Sequence, residues 1–475
     1  MNKKMYLFLT MVMFVLLLQS CQLVIIPEVE IDPESELLPI EEEALLRDEN
    51  YDRFFDEINH KKLVIIISDH NAELLNSTMQ AYYDRFGNYK SDTYVTSDII
   101  YQDSFGTIEM QDVAFRTRGN LSRSRFLDDE GNLNFNHFKL KFNQQFSNMS
   151  RNGYLFGLEE LDLKYNRNQD ESYMNEFGAL KLYESLDVHA QRATLIYVEV
   201  HLGDTIFQVG VMTAFEPIDE WFIKRRFESK DNQVGDLYKS LWQQFGPANL
   251  ANLLEGSIGI KDVDNNYRPA YDLKTNKTSS THEHVLLLVD VLASEDINYK
   301  RAFIETYFDI DQLARYFAVS LLLGNPDDFR SMANNYYLYF DIVKEKYQII
   351  PYDLDHSLGQ GWDGAPVFEN QLTNTALYHF GEMFSFLSNQ PIHHPLIEVI
   401  FELEHFKKSY ETHLETLLNT SFRFEFFKNY IDQYRIIFDD DLKTSMMPLP
   451  FGYRNLETFI NEKRQSVINQ FNETT

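Results

Sequence analysis

The sequence predicts an α+β protein with a β-rich first lobe and an α-rich second lobe. Strand-like apolar runs and polar turns dominate residues 51–216, whereas apolar residues at helical spacing dominate from residue 217 onward. The chain has 475 residues, of which 44% are hydrophobic and 15% aromatic, so it can bury a large core. Its length exceeds what one compact core usually contains. We therefore expect a bilobal body.

The first 20 residues have the pattern of a bacterial lipoprotein signal peptide. A short basic region precedes the apolar stretch 5–18, which is too short for a membrane-spanning helix. Residues 18–21 resemble a lipobox, in which Cys21 becomes the lipidated first residue of the mature protein. We therefore expect an extracytoplasmic protein that is anchored to the cell membrane through Cys21. Ordinary secretion with a chance cysteine at the cleavage site is the alternative.

Residues 21–50 are predicted to form an acidic, proline-containing tether, because they lack a sustained apolar period. Over the whole chain, 73 acidic residues against 43 basic residues give a formal charge of −30. This charge argues against nucleic acid or an anionic bilayer as the main partner of the folded body, and it favours a basic partner such as a Ser-rich protein substrate. Alternatively, the acidity only keeps a surface-exposed protein soluble.

The first lobe is predicted to span residues 51–216. The run Leu63–Ile67 indicates a buried strand, and the residues up to about 146 mix strands with polar turns. Apolar residues at spacings of three and four predict an amphipathic helix over 171–186. The stretch 193–215 then predicts a hairpin of two strands.

The second lobe is predicted to have a catalytic part, residues 217–365, and an α-rich C-terminal extension, residues 366–475. Helical spacing covers four segments of it: 281–293, 299–308, 310–323 and 397–420. Two short β-type runs, 335–339 and 347–350, lie between those helices and predict another hairpin.

The strongest candidate site combines a loop that follows a helix with both ends of this second hairpin. Asp327 and Asp328 lie in the loop, Asn335 begins the hairpin, and Asp353 and Asp355 follow its far end. Phosphoryl transfer needs one aspartate to orient or deprotonate the acceptor hydroxyl, and Asn and Asp oxygens to bind the magnesium at the nucleotide phosphates. Protein kinases place these residues in the same order along the chain. Taken singly, each element is also typical of an ordinary turn or a solvated strand edge.

Further motifs accompany this site along the chain. They are Arg118-Gly119-Asn120-Leu121-Ser122, Phe138–Phe142, 170–186, Phe215–Asp219, Leu237–Lys239, the Asn-x-Asp element at 325–327, Asn335–Tyr339 and Pro351–Asp355. In this order, the motifs resemble the CotH (spore coat protein H) family of atypical protein kinases over roughly residues 60–365. The resemblance implies a divergent kinase-like fold, ATP with Mg²⁺ or Mn²⁺ as cofactors, and transfer of the γ-phosphate to serine or threonine of an extracytoplasmic protein.

Carried over by position, the resemblance implies that Asp327 is the catalytic base. The long spacing from Asp327 to Asn335 keeps Asp328 as an alternative base. Asp353 is the implied main metal ligand, and Asn335 or the neighbouring Asn334 is the implied second ligand.

The first lobe supplies candidates for binding the nucleotide. Lys139 and Lys141 alternate with apolar residues of a strand, so one of them can face a cleft and bind phosphate. Arg118, beside a glycine, is a candidate for covering the phosphates, and a plain hairpin turn is the equal alternative. Glu176 is either the partner of the phosphate-binding lysine or a solvated helix residue. Glu216, at the junction of the lobes, is either an adenine-contacting hinge residue or a structural one.

Two other functions compete with an active kinase. A lipid-anchored module on a kinase-like fold would serve as a cell-surface binding or adhesion protein, as some CotH-like proteins do. Such a module has no physical need for the Asp, Asn and Lys residues described above. A metal-dependent hydrolase would need histidine ligands beside the carboxylates, and its candidates are His356, His393 and His394, which are more often surface polar residues.

Overall fold

The computed structural model describes residues 46, 48, 50–120, 122–143, 153–231, 233–251, 253–361, 373–378 and 393–474. The predicted signal peptide, Cys21 and nearly all of the predicted tether lie outside these residues. Helices and strands are mixed along the described chain, which confirms the α+β class. None of the helices in this described part has the length and apolar character needed to cross a membrane.

A closed barrel occupies the first part of the fold. Its seven strands are β1 (Lys62–Ile67), β2 (Val95–Asp103), β3 (Gly106–Arg118), β4 (His137–Lys141), β5 (Glu160–Tyr165), β6 (Ala193–Leu202) and β7 (Thr205–Phe215). The order around the barrel is β1-β2-β3-β4-β5-β7-β6, and parallel pairing of β1 with β6 closes it. This pairing leaves no open sheet edge. The predicted first strand and the predicted hairpin, now β6 and β7, are both confirmed.

Side chains alternate between the barrel interior and its outer face. Leu140 of β4 and Leu163 of β5 belong to the buried core of the barrel. Because successive side chains of a strand point to opposite faces, Lys139, Asp162 and Lys164 lie on the outer face. The outer face of β4 and β5 therefore carries a row of charged residues.

Within the described residues, three helices accompany the barrel: α1 (Asn50–Phe54), α2 (Asp69–Phe86) and α3 (Phe177–Glu184). The sequence analysis missed α2, which has 18 residues but buries only Ala72, Leu75 and Met79 and so lacks a strong apolar stripe. Its ends carry local signals instead, since Ser68 accepts a hydrogen bond from Asn71 N–H and Gly87 adopts a left-handed conformation at φ 70°.

The predicted helix over 171–186 is too long. Its helical part is α3, and the residues before Phe177 form turns. The Asp170 side chain accepts hydrogen bonds from the backbone N–H groups of Ser172 and Asn175, which competes with helical hydrogen bonding. Glu176 therefore stands at the start of α3 rather than within a helix.

The second part of the fold is built around a five-stranded sheet with the strand order β12-β11-β8-β10-β9. Its strands are β8 (Leu237–Ser240), β9 (Ile258–Gly259), β10 (Tyr271–Leu273), β11 (Tyr336–Asp341) and β12 (Lys346–Pro351). The antiparallel pair of β11 and β12 confirms the second predicted hairpin.

Helices precede, interrupt and follow this sheet. They are α4 (Glu220–Arg226), α5 (Glu283–Ala293), α6 (Ile297–Tyr307), α7 (Ile310–Leu323), α8 (Phe329–Met332), α9 (Pro395–Ile400), α10 (Glu404–Asn419), α11 (Phe424–Leu442) and α12 (Leu456–Thr474). The prediction of α7 is confirmed residue for residue. The single helix predicted over 397–420 is wrong, because α9 ends at Ile400 and a turn separates it from α10.

The C-terminal helices support α3. The ring of Phe177, at the start of α3, packs edge-on against Tyr430 and Tyr434 of α11, with ring centroids 5.3 and 5.2 Å apart. These aromatic residues share one buried core with α7 and the sheet. The position of α3, and of Glu176 before it, is therefore set by packing against residues far along the chain.

Candidate active site

Lys164 is the centre of a buried ionic cluster that joins the two parts of the fold. Its ammonium lies 2.7 Å from Glu176 Oε1 and 2.5 Å from Asp353 Oδ1, and Asp355 Oδ2 is 3.7 Å away. The barrel contributes the lysine, the start of α3 contributes the glutamate, and the turn after β12 contributes both aspartates. Glu176 Oε1 also accepts a hydrogen bond from the backbone N–H of Leu354 at 3.2 Å. One lysine thus holds three carboxylates.

The cluster keeps Lys164 charged. Burial acts to lower the pKa of Lys164, but Asp353 and Glu176 together raise this pKa well above its ordinary value. Burial acts to raise the pKa of Asp353, and the adjacent Lys164 overrides it, so that this pKa lies below its ordinary value. For Glu176, burial prevails and raises the pKa. Asp353 is therefore an ionised carboxylate at neutral pH.

Asp327 lies in the loop between α7 and α8 and is held by two asparagines. Asn334 Nδ2 donates to its Oδ1 at 2.8 Å, and Asn335 Nδ2 donates to its Oδ2 at 2.8 Å. Its side chain is almost fully buried, and burial raises the pKa of Asp327 to about 7, against the lowering effect of the Asn334 hydrogen bond. A carboxylate with a pKa near neutrality is suited to accepting a proton.

Asp328 has a different environment from its neighbour. Its Oδ2 accepts from Ser320 Oγ at 2.5 Å, and its Oδ1 accepts from the backbone N–H of Ser331 at 2.9 Å, which caps α8. Asp328 thus caps α8 and ties it to α7, whereas the partners of Asp327 are Asn334 and Asn335, the two candidates for the second metal ligand. Both oxygens of each aspartate accept a hydrogen bond, so it is the placement of Asp327 beside the candidate metal ligands that favours it over Asp328 as the base.

The predicted phosphate-binding lysines lie outside the Lys164 cluster. Lys139 contacts Glu160 at 2.5 Å and Asp162 at 3.5 Å, and Lys141 lies 3.6 Å from Glu160. Arg118, from the end of β3, lies 3.2 Å from Asp162. These residues form a second charged group on the outer face of β3, β4 and β5.

Glu216 is placed at the junction of the barrel and α4, as its position in the sequence indicates. Its carboxylate is completely buried and contacts Arg226 at 2.6 Å and Arg225 at 3.4 Å. Its backbone N–H donates to the carbonyl oxygen of Arg192 at 2.9 Å. The side chain and the N–H are both engaged in structural contacts, so this geometry fits the structural alternative better than an adenine contact.

The residues predicted to bind metal offer oxygen donors. Asp353 and Asp355 already converge on one cation, the Lys164 ammonium, and their side chains remain 33% and 24% exposed. Asn335 donates to Asp327 through its Nδ2, which leaves its amide oxygen for another contact. Carboxylate and amide oxygens are the donors that Mg²⁺ and Mn²⁺ prefer, and such sites often rely on phosphate oxygens as well. The donor set thus fits the implied ion.

These residues would need the nucleotide to complete a metal shell. Across the described residues, no group of three or more His, Cys, Asp and Glu side chains could hold a metal ion alone. Of the histidines, His356 contacts the carbonyl oxygen of Gly361 at 2.8 Å and lies 3.6 Å from Asp355 Oδ1, whereas His393 contacts Glu398 at 2.6 Å. Only His356 of this pair is recorded beside a candidate metal-binding carboxylate, and one histidine falls short of the ligand set that the histidine-dependent hydrolase needs.

Lys164 is the candidate site residue that the sequence analysis missed. The segment Glu160–Tyr165 alternates charged residues with Leu161 and Leu163, which is the pattern of a half-buried strand. That alternation, which places Lys164 twelve residues before Glu176, was the signal in the sequence that Lys164 is a strand lysine able to pair with this glutamate.

Protein kinases combine a lysine that is held by a helix glutamate with nearby aspartate and asparagine residues, and they use this set of side chains for phosphoryl transfer. The same set of side chains is present here. Comparison with protein families agrees with this class. The model of the CotH kinase protein family matches residues 115–466. This match covers most of the chain, and the chain therefore belongs to the CotH kinase family. At the level of the family, this membership indicates a kinase that uses ATP. Among curated proteins, none matches the chain.

Proposed function

We propose that this protein is a CotH-like extracytoplasmic protein kinase that transfers the γ-phosphate of ATP to serine or threonine of a surface or coat protein. In this proposal, the barrel with α3 is the first lobe of a divergent kinase-like fold, and the five-stranded sheet with its helices is the second lobe. The observation that carries the proposal is the contact of Lys164 with both Glu176 and Asp353.

The order of these residues along the chain supports the proposal. Kinases use a strand lysine paired with a helix glutamate, then a catalytic aspartate, an asparagine and a metal-binding aspartate. The same order is found in this chain: Lys164 and Glu176 come first, followed by Asp327, Asn335 and Asp353. In the fold, Lys164 contacts both Glu176 and Asp353, so the lysine–glutamate pair lies beside the last residue of the series.

Asp327 is the proposed base for the acceptor hydroxyl. As the acceptor oxygen forms its bond to the γ-phosphorus, the bond from that phosphorus to the β–γ bridging oxygen breaks, ADP leaves, and the hydroxyl proton passes to Asp327. The two asparagine amides orient the Asp327 carboxylate for this role. Lys164 binds phosphate oxygens, and Glu176 fixes the direction of its side chain. A magnesium or manganese ion held by Asp353, Asp355 and Asn335 would neutralise charge on the phosphates.

The surroundings of the enzyme are also part of the proposal. A lipid on Cys21 would hold the body at the outer side of the cell membrane, and the acidic tether would separate the body from the bilayer. The formal charge of −30 supports a basic, Ser-rich protein as the acceptor, because opposite charge steers the encounter.

Phosphate transfer from γ-labelled ATP tests the proposal. The full chain in mild detergent should label itself or a basic Ser-rich protein in the presence of Mg²⁺ or Mn²⁺. Asp353→Ala should lose both transfer and the ATP-dependent rise in melting temperature. Asp327→Asn should keep the ATP-dependent rise but lose transfer by about 10²–10⁴-fold. Asp440→Asn, which changes an aspartate that is 96% exposed, is the matched control and should behave like the wild type.

Two results would contradict the proposal. Normal transfer by Asp353→Ala would remove the metal assignment. If the wild type neither labels a protein nor melts at a higher temperature with ATP, the chain is better explained as a surface-displayed binding protein on a kinase-like fold.

A further inference from the structure

Asp92, in the loop between α2 and β2, is surrounded by cations that have no part in the mechanism above. Its carboxylate contacts Arg116 of β3 at 3.0 Å and Arg123 of the following loop at 3.2 Å. It also contacts Lys261, which follows β9 in the sheet. Two further cations, Lys90 and Arg268, lie beside this group, and all six residues together are called the Asp92 cluster.

The Asp92 cluster carries more positive than negative charge. Arg116, Arg123 and Lys261 share one carboxylate, so three positive charges against one negative charge leave an excess of two. Arg268 donates to the backbone carbonyl oxygen of Lys90 at 3.2 Å, and among the described residues neither of these two side chains forms an ion pair with a carboxylate. Burial lowers the pKa of Lys90 to about 8, and the charges of Arg268 and Arg123 act in the same direction.

The arginines of the cluster are deeply placed and keep unused donors. The side chains of Arg116 and Arg123 are 12% and 3% exposed, and in both the buried Nε lacks a hydrogen-bond partner within the described part of the chain. The side chain of Lys261 is 28% exposed, which leaves the cluster open to solvent on its side. This combination suits one compact anion better than a planar membrane surface, which needs exposed cations.

The order of the strands separates the cluster from the proposed active site. Asp353 follows β12 and Lys261 follows β9, and these two strands are the opposite edges of the five-stranded sheet. Four strand spacings, about 19 Å, lie between the two edges. An extended peptide covers this distance with about six residues. One acceptor chain is therefore long enough to reach both places.

We infer that the Asp92 cluster binds a phosphoserine of the acceptor protein and so holds a partly phosphorylated acceptor for further transfer. A phosphoserine carries a charge of about −1.5 to −2 at neutral pH, which matches the excess of two positive charges. Arginine and lysine side chains bind phosphate through charge-assisted hydrogen bonds. The inference rests on the proposed function, because transfer to serine makes the phosphoserine that the cluster binds.

A purely structural role for the cluster predicts a different result. In that role, Asp92 ties the barrel to the edge of the sheet through its three ion pairs. Lys90 lies outside those ion pairs, so its charge would be dispensable. Phosphoserine binding uses this charge, because Lys90 has no carboxylate partner among the described residues.

Fluorescence anisotropy with labelled peptides tests the inference on the full chain in detergent, without ATP or divalent metal. A Ser-rich peptide that carries one phosphoserine should bind at least about tenfold more tightly than the same peptide with serine. Lys90→Met should weaken binding of the phosphopeptide by about tenfold, as expected for a lost hydrogen bond to a charged group, and should leave binding of the serine peptide unchanged. Lys90→Arg should restore phosphopeptide binding to within about threefold, because a guanidinium also binds phosphate.

Two further variants complete the measurement. Lys261→Met leaves Arg116 and Arg123 on Asp92 and should also weaken binding of the phosphopeptide alone. Lys443→Met is the matched control, because it removes the same charge from a lysine of α11 that is 70% exposed. This control should bind both peptides as the wild type does.

Equal binding of the two peptides by the wild type would overturn the inference, as would unchanged phosphopeptide binding in both Lys90→Met and Lys261→Met. Inorganic phosphate that binds as tightly as the phosphopeptide would make the cluster a site for a free anion. Lys90-dependent binding of phosphatidylglycerol vesicles, without a preference for the phosphopeptide, would make it a membrane site. Either result would also overturn the inference.

The transfer assay with γ-labelled ATP separates this inference from the proposed function. A wild type that transfers phosphate but shows no preference for the phosphopeptide overturns only the role of the Asp92 cluster. A wild type that prefers the phosphopeptide but transfers no phosphate to any acceptor overturns the proposed kinase function and leaves the phosphoserine site.

Discussion

Replacing Lys164 with methionine should destabilise the protein, and the loss should depend on pH. The substitution keeps the length of the side chain but removes the charge that Glu176 and Asp353 share. At pH 8 both carboxylates would then be left partly buried without a cation. We expect the free energy of unfolding to fall by about 3 kcal/mol at that pH.

This magnitude follows from the contacts. Removing one partner of a buried ion pair costs about 3–5 kcal/mol, and Lys164 serves two carboxylates at 2.5 and 2.7 Å. The 33% exposure of the Asp353 side chain brings the figure down, because solvent screens part of its charge. With an unfolding entropy of about 2.1 cal/mol/K per residue over 475 residues, 3 kcal/mol corresponds to a fall in Tm of about 3 °C.

The sign of the pH effect follows from the carboxylates. In the wild type, the pKa of Asp353 is lowered by Lys164, so this pairing stabilises the fold above the pKa of the unfolded chain and is lost as pH falls. In Lys164→Met, the pKa of Glu176, which burial already raises, should rise further. The variant should therefore take up this proton above pH 7, where the wild-type carboxyl is still ionised, and the destabilisation should be smaller at pH 6, where Glu176 is protonated in both proteins.

Thermal melting of both proteins at pH 8 and pH 6 provides the assay. Lys141→Met is the matched control, because Lys141 is 32% exposed and lies 3.6 Å from Glu160. This control should lose less than about 1 kcal/mol at either pH. A Lys164→Met protein that loses no more than the control, or loses the same amount at both pH values, would refute the role of Lys164 as a shared counter-ion.

Three further predictions concern the base, its neighbour and the anchor. Burial raises the pKa of Asp327 to about 7, and a base acts in its deprotonated form, so the rate of phosphate transfer should rise with pH through about 7. A flat rate profile from about pH 5.5 to 8.5 would contradict this role of Asp327. Asp328→Ala should lower the free energy of unfolding by about 1–2 kcal/mol through loss of the α8 cap, while the ATP-dependent rise in melting temperature should be unchanged. Loss of that rise would assign Asp328 to the site. Cys21→Ser should move the protein from the membrane pellet to the soluble fraction after cell fractionation, and retention in the pellet would exclude the lipid anchor.

Elements with strong local patterns were predictable. The hairpin of β11 and β12 and the helix α7 have dense apolar residues at strand or helix spacing, and both were identified from the chain alone. Closure of the barrel was not predictable, because it depends on parallel pairing of β1 with β6, in which Leu63 faces Val198. Pairing between residues so distant in sequence has no local signature.

The two adjacent aspartates show the same limit at the scale of the site. Asp327 and Asp328 have the same chemistry and neighbouring positions in the chain. Only the folded structure places Ser320 against one of them and Asn334 against the other. These contacts separate a helix cap from a candidate base.

The sequence by itself determined the kinase-like order of chemical groups, because an aspartate loop, an asparagine pair and a following Asp-x-Asp turn are all local motifs. Which lysine meets Asp353 was decided by the tertiary structure. Strand alternation sends Lys139, Lys141 and Lys164 to the same outer face of the barrel, so the sequence pattern could not choose among them. The choice falls on Lys164 because α3 and the turn after β12 pack against β5, and this packing depends on aromatic contacts with α11 more than 200 residues later in the chain.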